Sequence, residues 1–560
     1  MRHTSSFRVP RSAFRVFFLA LLACLLLDSQ SAQSQIINPN SSAPAGRRSD
    51  GPYTIGYNFT VGGSNITINA LGVEDITNSG GVGYGDGTVA STSAGIWNTG
   101  GTLLGSVTVG SGISAPIIDG FRYTQLGSPI VLSASTTYTL GAQKGPGVDY
   151  FSDGHPSANY VVGPGITGSL VPTYNGGALL AKPTTAGGGT NGRWSGANAL
   201  NVGDATWTLL SSGNASGSWH TNSNWNTGNF AAFTGYTADF STLNITADST
   251  ITLNGTASIA GVESMTIGHL KFGDTTASNN WILNAGTGSG LALRVTSGTP
   301  TITVDNQTAT INLLLTGTQG MAKNGAGTLT LGSSNTYSGG TTVSAGTLTL
   351  SAGTALGSGL VTVGANGTLT ATTNNTLGTN SANSMDVSGT VSVAGNVLQF
   401  NTLSMTGGLL TGTNTGTTQQ WINRGTVTII GSAGGSTVTG GALELRNGAT
   451  DNTANFGRTF DVADGAADAD LTISSAIINS TAGGSVGIIK SGAGKLVLSG
   501  ASTFTGQPSI NASVQINAGI LEVSNLQNSG TASNLGSSGS IALLGGTLRY
   551  TGSSGGRDFL

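Results

Sequence analysis

Apolar and polar residues alternate in short runs along almost the whole chain, and glycine separates the runs. Thr328 to Leu331, Thr347 to Leu350 and Thr368 to Ala371 each read polar-apolar-polar-apolar. A period of two is the signature of half-buried strands whose apolar side faces a core. Leu329, Leu348 and Leu369 sit in the same Thr-Leu-Thr context at intervals of about twenty residues. The spacing predicts a coil of about twenty residues, each strand pairing with its counterpart one turn on at ~4.8 Å. Leucine and valine would stack as inward ladders, while β-branched threonine faces water on the pleated outside. Glycines fall where tight corners need them. One coil cannot cover its own apolar edge, so such a stack is stable only collectively.

Two stretches repeat this pattern in order. Lys323 to Leu350 carries Lys323, Gly325, Gly327, Leu329, Leu331, Asn335, Tyr337, Gly339, Thr341, Val343, Gly346, Leu348 and Leu350. Lys490 to Val523 carries Lys490, Gly492, Gly494, Leu496, Leu498, Phe504, Gly506, Gly519, Leu521 and Val523. The second copy departs from the first: Phe504 replaces the tyrosine, and about six extra residues follow Gly506. With its Lys-x-Gly-x-Gly turn, Leu-x-Leu strand, aromatic corner and Ala-Gly-x-Leu strand, this unit resembles the autotransporter-associated β-strand repeat of bacterial passenger regions. The resemblance covers residues 322–350 and 489–523. It implies a right-handed parallel β-helix (a β-solenoid), export, and a structural or adhesive role; it implies no reaction and no cofactor.

Upstream, residues 51–205 have short alternating runs such as Asn65 to Ala70 and Thr136 to Leu140, spaced as in an antiparallel β-sandwich. The runs Leu71 to Asp75, Ser93 to Val109 and Gly120 to Ala142 together resemble a jelly-roll-like module found near the front of exported bacterial proteins. Residues 206–300 contain Trp219 and Trp225, which resemble the Trp-x5-Trp opening that precedes such repeats. Residues 301–560 are read as the β-helix. The expected class is all-β, a jelly-roll-like sandwich followed by a parallel β-helix.

Arg2, Arg8, Arg11 and Arg15 precede the apolar run Val16 to Leu27, and Ala32-Gln33-Ser34 offers a cleavage site. Residues 1–34 read as a secretory signal, followed by a polar linker over 35–50. Leu21-Leu22-Ala23-Cys24 resembles a lipobox, but Leu25 to Leu27 prolong the apolar run past the cysteine, so plain cleavage is expected. Cys24 is the only cysteine, so the mature chain would carry no disulfide. Removing the signal leaves 16 basic against 22 acidic residues. That mild acidity argues against nucleic acid as a partner, and no later segment is apolar enough for a transmembrane helix. The expected location is the cell surface or exterior, outer-membrane-associated, of a Gram-negative-type bacterium. Arg458 and Arg557 are each followed two residues later by Phe, so the last residues read as the start of a further unit. The sequence is therefore expected to be truncated at its C-terminus.

Candidate chemistry is sparse. His3, His155, His220 and His269 are scattered, which disfavours zinc. Gly-x-Ser-x-Gly occurs around Ser485 and Ser554 without a strand-turn-helix context. Asp461, Asp464, Asp468 and Asp470 form the acidic cluster. It reads first as a solvated turn, with calcium binding or an acid–base pair as the alternatives. Glu74, Asp75 and Asp86 form a second calcium candidate. Trp219 and Trp225 are the candidate glycan contacts if they prove exposed, against core packing as the commoner fate of such a residue. The expected function is a non-enzymatic exported adhesive protein whose partners are cell-surface glycans or other surface proteins. The alternative is a polysaccharide-binding or polysaccharide-cleaving β-helix.

Overall fold

The computed structural model describes residues 53–75, 90–111, 121–144, 230–253, 265–286, 290–377, 383–446, 456–481, 483–506, 512–538 and 540–553. It also describes short segments at 37–39, 47–48, 117–118, 151–152, 160–162, 166–176, 180–183, 185–186, 197–200, 205–208, 214–221 and 224–226. The signal region, Cys24, Asp86, His155 and Arg557 lie outside the described residues. Those residues are all-β, with no α-helix, and no helix among them is long and apolar enough to cross a membrane. The chain divides into two compact units: residues 1–74, 92–109 and 126–202, and residues 75–91, 110–125 and 203–560.

The first unit is antiparallel. Its largest sheet has six strands in the order Thr185–Ala186, Ile166–Gly176, Tyr53–Val61, Thr137–Lys144, Thr92–Asn98 and Leu103–Val109. Ile55, Tyr57, Phe59, Ile96 and Leu140 are buried in it. Ile66–Glu74 pairs separately with Ala197–Leu200. The stretch read as a linker carries two short strands: Ile37–Pro39 pairs with Tyr160–Val162, and Arg47–Arg48 with Phe151–Ser152.

The second unit is dominated by a 28-stranded sheet that coils upon itself. Each strand pairs in parallel with one that lies one to three places along the chain, as consecutive turns of a solenoid require. Leu329, Leu348 and Leu369 stand in register on successive coils, flanked by Thr328, Thr347 and Thr368. The leucines are fully buried and the threonines half-buried, so the two-residue period becomes an inside and an outside. Burying one such leucine contributes roughly 1.5–3 kcal/mol relative to exposure, and the ladders repeat that gain on every coil. A third wall, a parallel five-stranded sheet, runs from Asn375–Thr376 through Leu398–Phe400, Gln419–Asn423 and Ala442–Leu445 to Ile477–Ile478.

Along the column from Ala309 to Leu410 the coil stays at about twenty residues. Ile429 faces Val462 and Lys490 faces Ile516, so those coils are longer. The parallel pairing continues through these longer coils.

Candidate functional site

The repeat's lysine is the least expected feature of the interior. In strand Met321–Asn324 the alternation points Lys323 inward, between Ile302 on one neighbouring coil and Val343 on the other. In Val486–Ser491 the same rule places Lys490 between Phe460 and Ile516. Both lysines are fully buried as residues. An ammonium group among aliphatic ladders is costly unless its three donors are satisfied.

They are satisfied in the same way in both copies. Lys323 Nζ donates to Asn324 O at 2.9 Å, Gly325 O at 2.8 Å and Ala345 O at 3.0 Å. Lys490 Nζ donates to Ser491 O at 2.8 Å, Gly492 O at 2.8 Å and Ala518 O at 3.2 Å. Two acceptors belong to the lysine's own corner and the third to the next coil, so the side chain ties adjacent turns together. Burial lowers Lys323 to about 8, with Asp305 opposing. Burial likewise lowers Lys490 to about 8, against Asp461 and Asp470.

The corner fits because the glycines of one coil rest on those of the next. Gly346 and Gly519 adopt φ of 65° and 66°. A Cβ on Gly346 would lie 2.4 Å from Gly325 O, and one on Gly519 2.5 Å from Gly492 O and Gly494 O. The Ala-Gly-x-Leu strand thus has glycine where Lys-x-Gly-x-Gly passes beneath it, and Leu331, Leu348, Leu496, Leu498 and Leu521 continue inward from there.

At the opposite corner Tyr337 and Phe504 are both fully buried. Ser358 N donates to Tyr337 O at 2.8 Å, and Ser537 N to Phe504 O at 2.9 Å. Asn335 Oδ1 accepts from Leu315 N at 2.7 Å, as Ser502 Oγ does from Ile477 N at 3.0 Å. The tyrosine hydroxyl pairs with Thr341 Oγ1 at 2.7 Å. Burial pushes the phenol up to about 12, with Thr341 and the Gly357 amide opposing. In the second copy the position of Thr341 is Val514: Thr341 pairs with Met321 and Val514 with Ile488, each two residues before its lysine. The departure at Phe504 is therefore half of a matched exchange, in which both hydroxyls of a buried pair are absent together. Gly339 packs against the backbone of Gly320, and Gly506 against Ser513. Residues 507–511, which hold the insertion, lie outside the described residues.

The acidic cluster does not converge. Asp470 is buried and accepts from the amides of Gly465 at 2.7 Å and Lys495 at 2.8 Å. Asp468 reaches the ammonium of Lys495 at 2.8 Å, and Asp461 and Asp464 face solvent. Among the described residues no three His, Cys, Asp or Glu side chains come together to hold a metal ion. Asp470 instead organises its own corner through backbone amides. Asp75, of the other calcium candidate, is buried against Arg122 at 2.6 Å.

Trp219 and Trp225 are also placed differently from a glycan platform, being 0% and 2% exposed. Their rings pack 5.1 Å apart, and both lie within 6 Å of Phe240. Trp219 Nε1 donates to Ala231 O at 2.9 Å and Trp225 Nε1 to Trp219 O at 2.7 Å. With Trp207 and Trp281 they fill the interior at the start of the 28-stranded sheet, where the aliphatic ladders have not yet begun. Neither indole offers a face to a sugar.

Asp274 escaped the sequence reading. Burial works against its charge, but the amides of Ser278, Thr276 and Asn279 and the Ser278 hydroxyl hold its carboxyl down at about 2. The available signal was Gly273-Asp274-Thr275 after an alternating run, a turn whose aspartate caps nearby amides.

Residues 321–350 and 488–523 match the passenger-associated-transport-repeat family. The chain is also 34% identical over 157 residues to the adhesin BmaC autotransporter of Brucella suis biovar 1 (strain 1330). That match covers 28% of this chain and only 4% of the relative's length. No solved structure matches. The two matched segments begin and end around the buried lysines, the stacked glycine corners and the aromatic corners, so the chain carries two copies of the passenger-associated-transport repeat.

Proposed function

We propose that the protein is an exported, non-enzymatic, adhesive passenger-type protein that presents a β-solenoid surface outside a Gram-negative cell. The observation that carries this reading is the pair of matched repeats, whose distinctive residues all serve stacking. The likeness to part of an adhesin-named autotransporter points the same way. In this reading residues 1–34 are a cleaved signal, and the first unit is a jelly-roll-like sandwich. The solenoid is right-handed, as parallel crossovers overwhelmingly are. Partners are surface glycans or other surface proteins, met by many weak contacts along the coils.

A polysaccharide-cleaving reading would need two facing carboxylates; Asp470 is already held by amides and Asp468 by Lys495. The experiment is to apply the purified full chain to a glycan array, to matrix-coated surfaces and to acidic polysaccharides. Retention without turnover supports adhesion. Turnover of any polymer, or no retention on any surface, removes it.

A further inference from the structure

One outer face of the solenoid is more regular than strand formation requires. Thr308, Thr328, Thr347, Thr368 and Thr390 stand in register on five successive coils. Two residues further along each strand a second column runs from Thr310 to Ser392, with threonine on every coil between. The ten positions comprise nine threonines and one serine, all partly exposed and none charged. Ile282 precedes the second column and Leu409 follows the first. Among the described residues, no protein group hydrogen-bonds to any of these hydroxyls.

Strand propensity favours threonine on such a face, but it equally admits valine, isoleucine, tyrosine or phenylalanine. It does not demand the same hydroxyl at both positions of five consecutive coils. The result is a lattice of about 4.8 Å between coils and about 6.6 Å along each strand. Each threonine is stiff at χ1, so hydroxyl and methyl are held in place before any ligand arrives. Beneath them Leu329, Leu331, Leu348 and Leu350 are fully buried, which fixes the strands that carry the array.

A two-dimensional lattice is matched best by another lattice. A soluble sugar or peptide would be read by a concave site with a few converging polar groups or an aromatic platform, and this face carries neither an aromatic nor a charged side chain. Its repeats are close to the oxygen repeats of hexagonal ice along and across a prism face. We propose that the threonine face binds ice: the hydroxyls take lattice positions of ordered water, and the methyls keep out liquid water between them. Each contact is weak, and ten held rigidly act together. The inference is independent of the adhesive reading.

The test uses the purified full chain. Thermal hysteresis, ice-crystal shaping and incorporation into a growing ice hemisphere are measured for the wild type, for Thr349→Lys at the centre of the array, and for Thr362→Lys on another strand face. Circular dichroism and the unfolding midpoint confirm that both exposed substitutions leave the fold intact. The wild type and Thr362→Lys are expected to shape ice and to be incorporated, and Thr349→Lys to be incorporated roughly tenfold less, as when a multivalent array is blocked at its middle. Failure of the wild type to shape ice overturns the proposal, as does equal behaviour of the two variants. Adsorption to microcrystalline cellulose that is lost in Thr349→Lys, without ice activity, assigns the face to a polymer and also overturns it.

Discussion

The Tyr337–Thr341 pair allows a test with an internal reference, because the second repeat has already made the exchange to Phe504 and Val514. Thr341 is 2% exposed and its hydroxyl meets the phenol at 2.7 Å. Tyr337→Phe leaves that hydroxyl unpartnered, and a buried unsatisfied group costs about 1–3 kcal/mol. Thr341→Val leaves the buried phenol without that partner and should cost a similar amount. In the double variant neither hydroxyl remains. The double variant should therefore be no worse than either single one, with a coupling energy of about 1–2 kcal/mol. Denaturant unfolding gives the three values, and hydrogen exchange at the Thr341 and Ser358 amides localises them to this corner. Costs that add within about 0.5 kcal/mol would show that the two hydroxyls do not act as a pair.

Other perturbations have equally definite outcomes. Gly346→Ala forces a side chain into φ of 65° at about 1–3 kcal/mol and sets its Cβ 2.4 Å from Gly325 O; unfolding midpoints of Gly346→Ala and Gly519→Ala should both fall, while Gly416→Ala, whose Cβ meets nothing, loses only the conformational part. The lysines, near 8 when folded against 10.5, take up protons less readily than in the unfolded chain, so stability should rise between pH 8 and 10.5; thermal melts of Lys323→Met/Lys490→Met should lose that slope. Burial lowers His220 to about 4 from 6.5, so stability should decline as pH falls from 6.5 to 4, and His220→Phe, packed against Phe230, should flatten that decline in melts at those pH values. Trp225→Ala should cost about 3–5 kcal/mol by opening a cavity yet leave glycan-array retention unchanged, because the ring faces no solvent.

Much of the solenoid was legible because it repeats. Leu329, Leu348 and Leu369 announce both the strand period and the coil length, and the pairing follows them. Recurrence also marked Lys323 and Lys490, but it could not say where they point. Charge alone places a lysine outside, and only the convergence of three carbonyls explains one on the inside. Trp219 and Trp225 show the opposite limit: a large aromatic suits a platform or a plug equally well, and the neighbours that decide, Phe240 and Trp281, come from later coils. The third wall was hidden for a related reason. Its strand Gln419–Asn423 carries Gln420 and Asn423 buried, paired with the backbone at Gly441 and Asn401, so its polarity does not alternate in the sequence. Asp461 to Asp470 looked like one site because the residues are adjacent in sequence; the corner they form spreads them.

The central claim is that the strands of the 28-stranded sheet stack coil upon coil in register. Spin labels on cysteines introduced at Thr308 and Thr390, in a Cys24→Ser background, measure it directly. These positions are four coils apart in one column, which at ~4.8 Å per coil is about 19 Å between backbones. A single narrow distribution near that value, widened only by the label arms, is the predicted result. A broad distribution, or one centred well beyond 30 Å, would contradict the stacked solenoid.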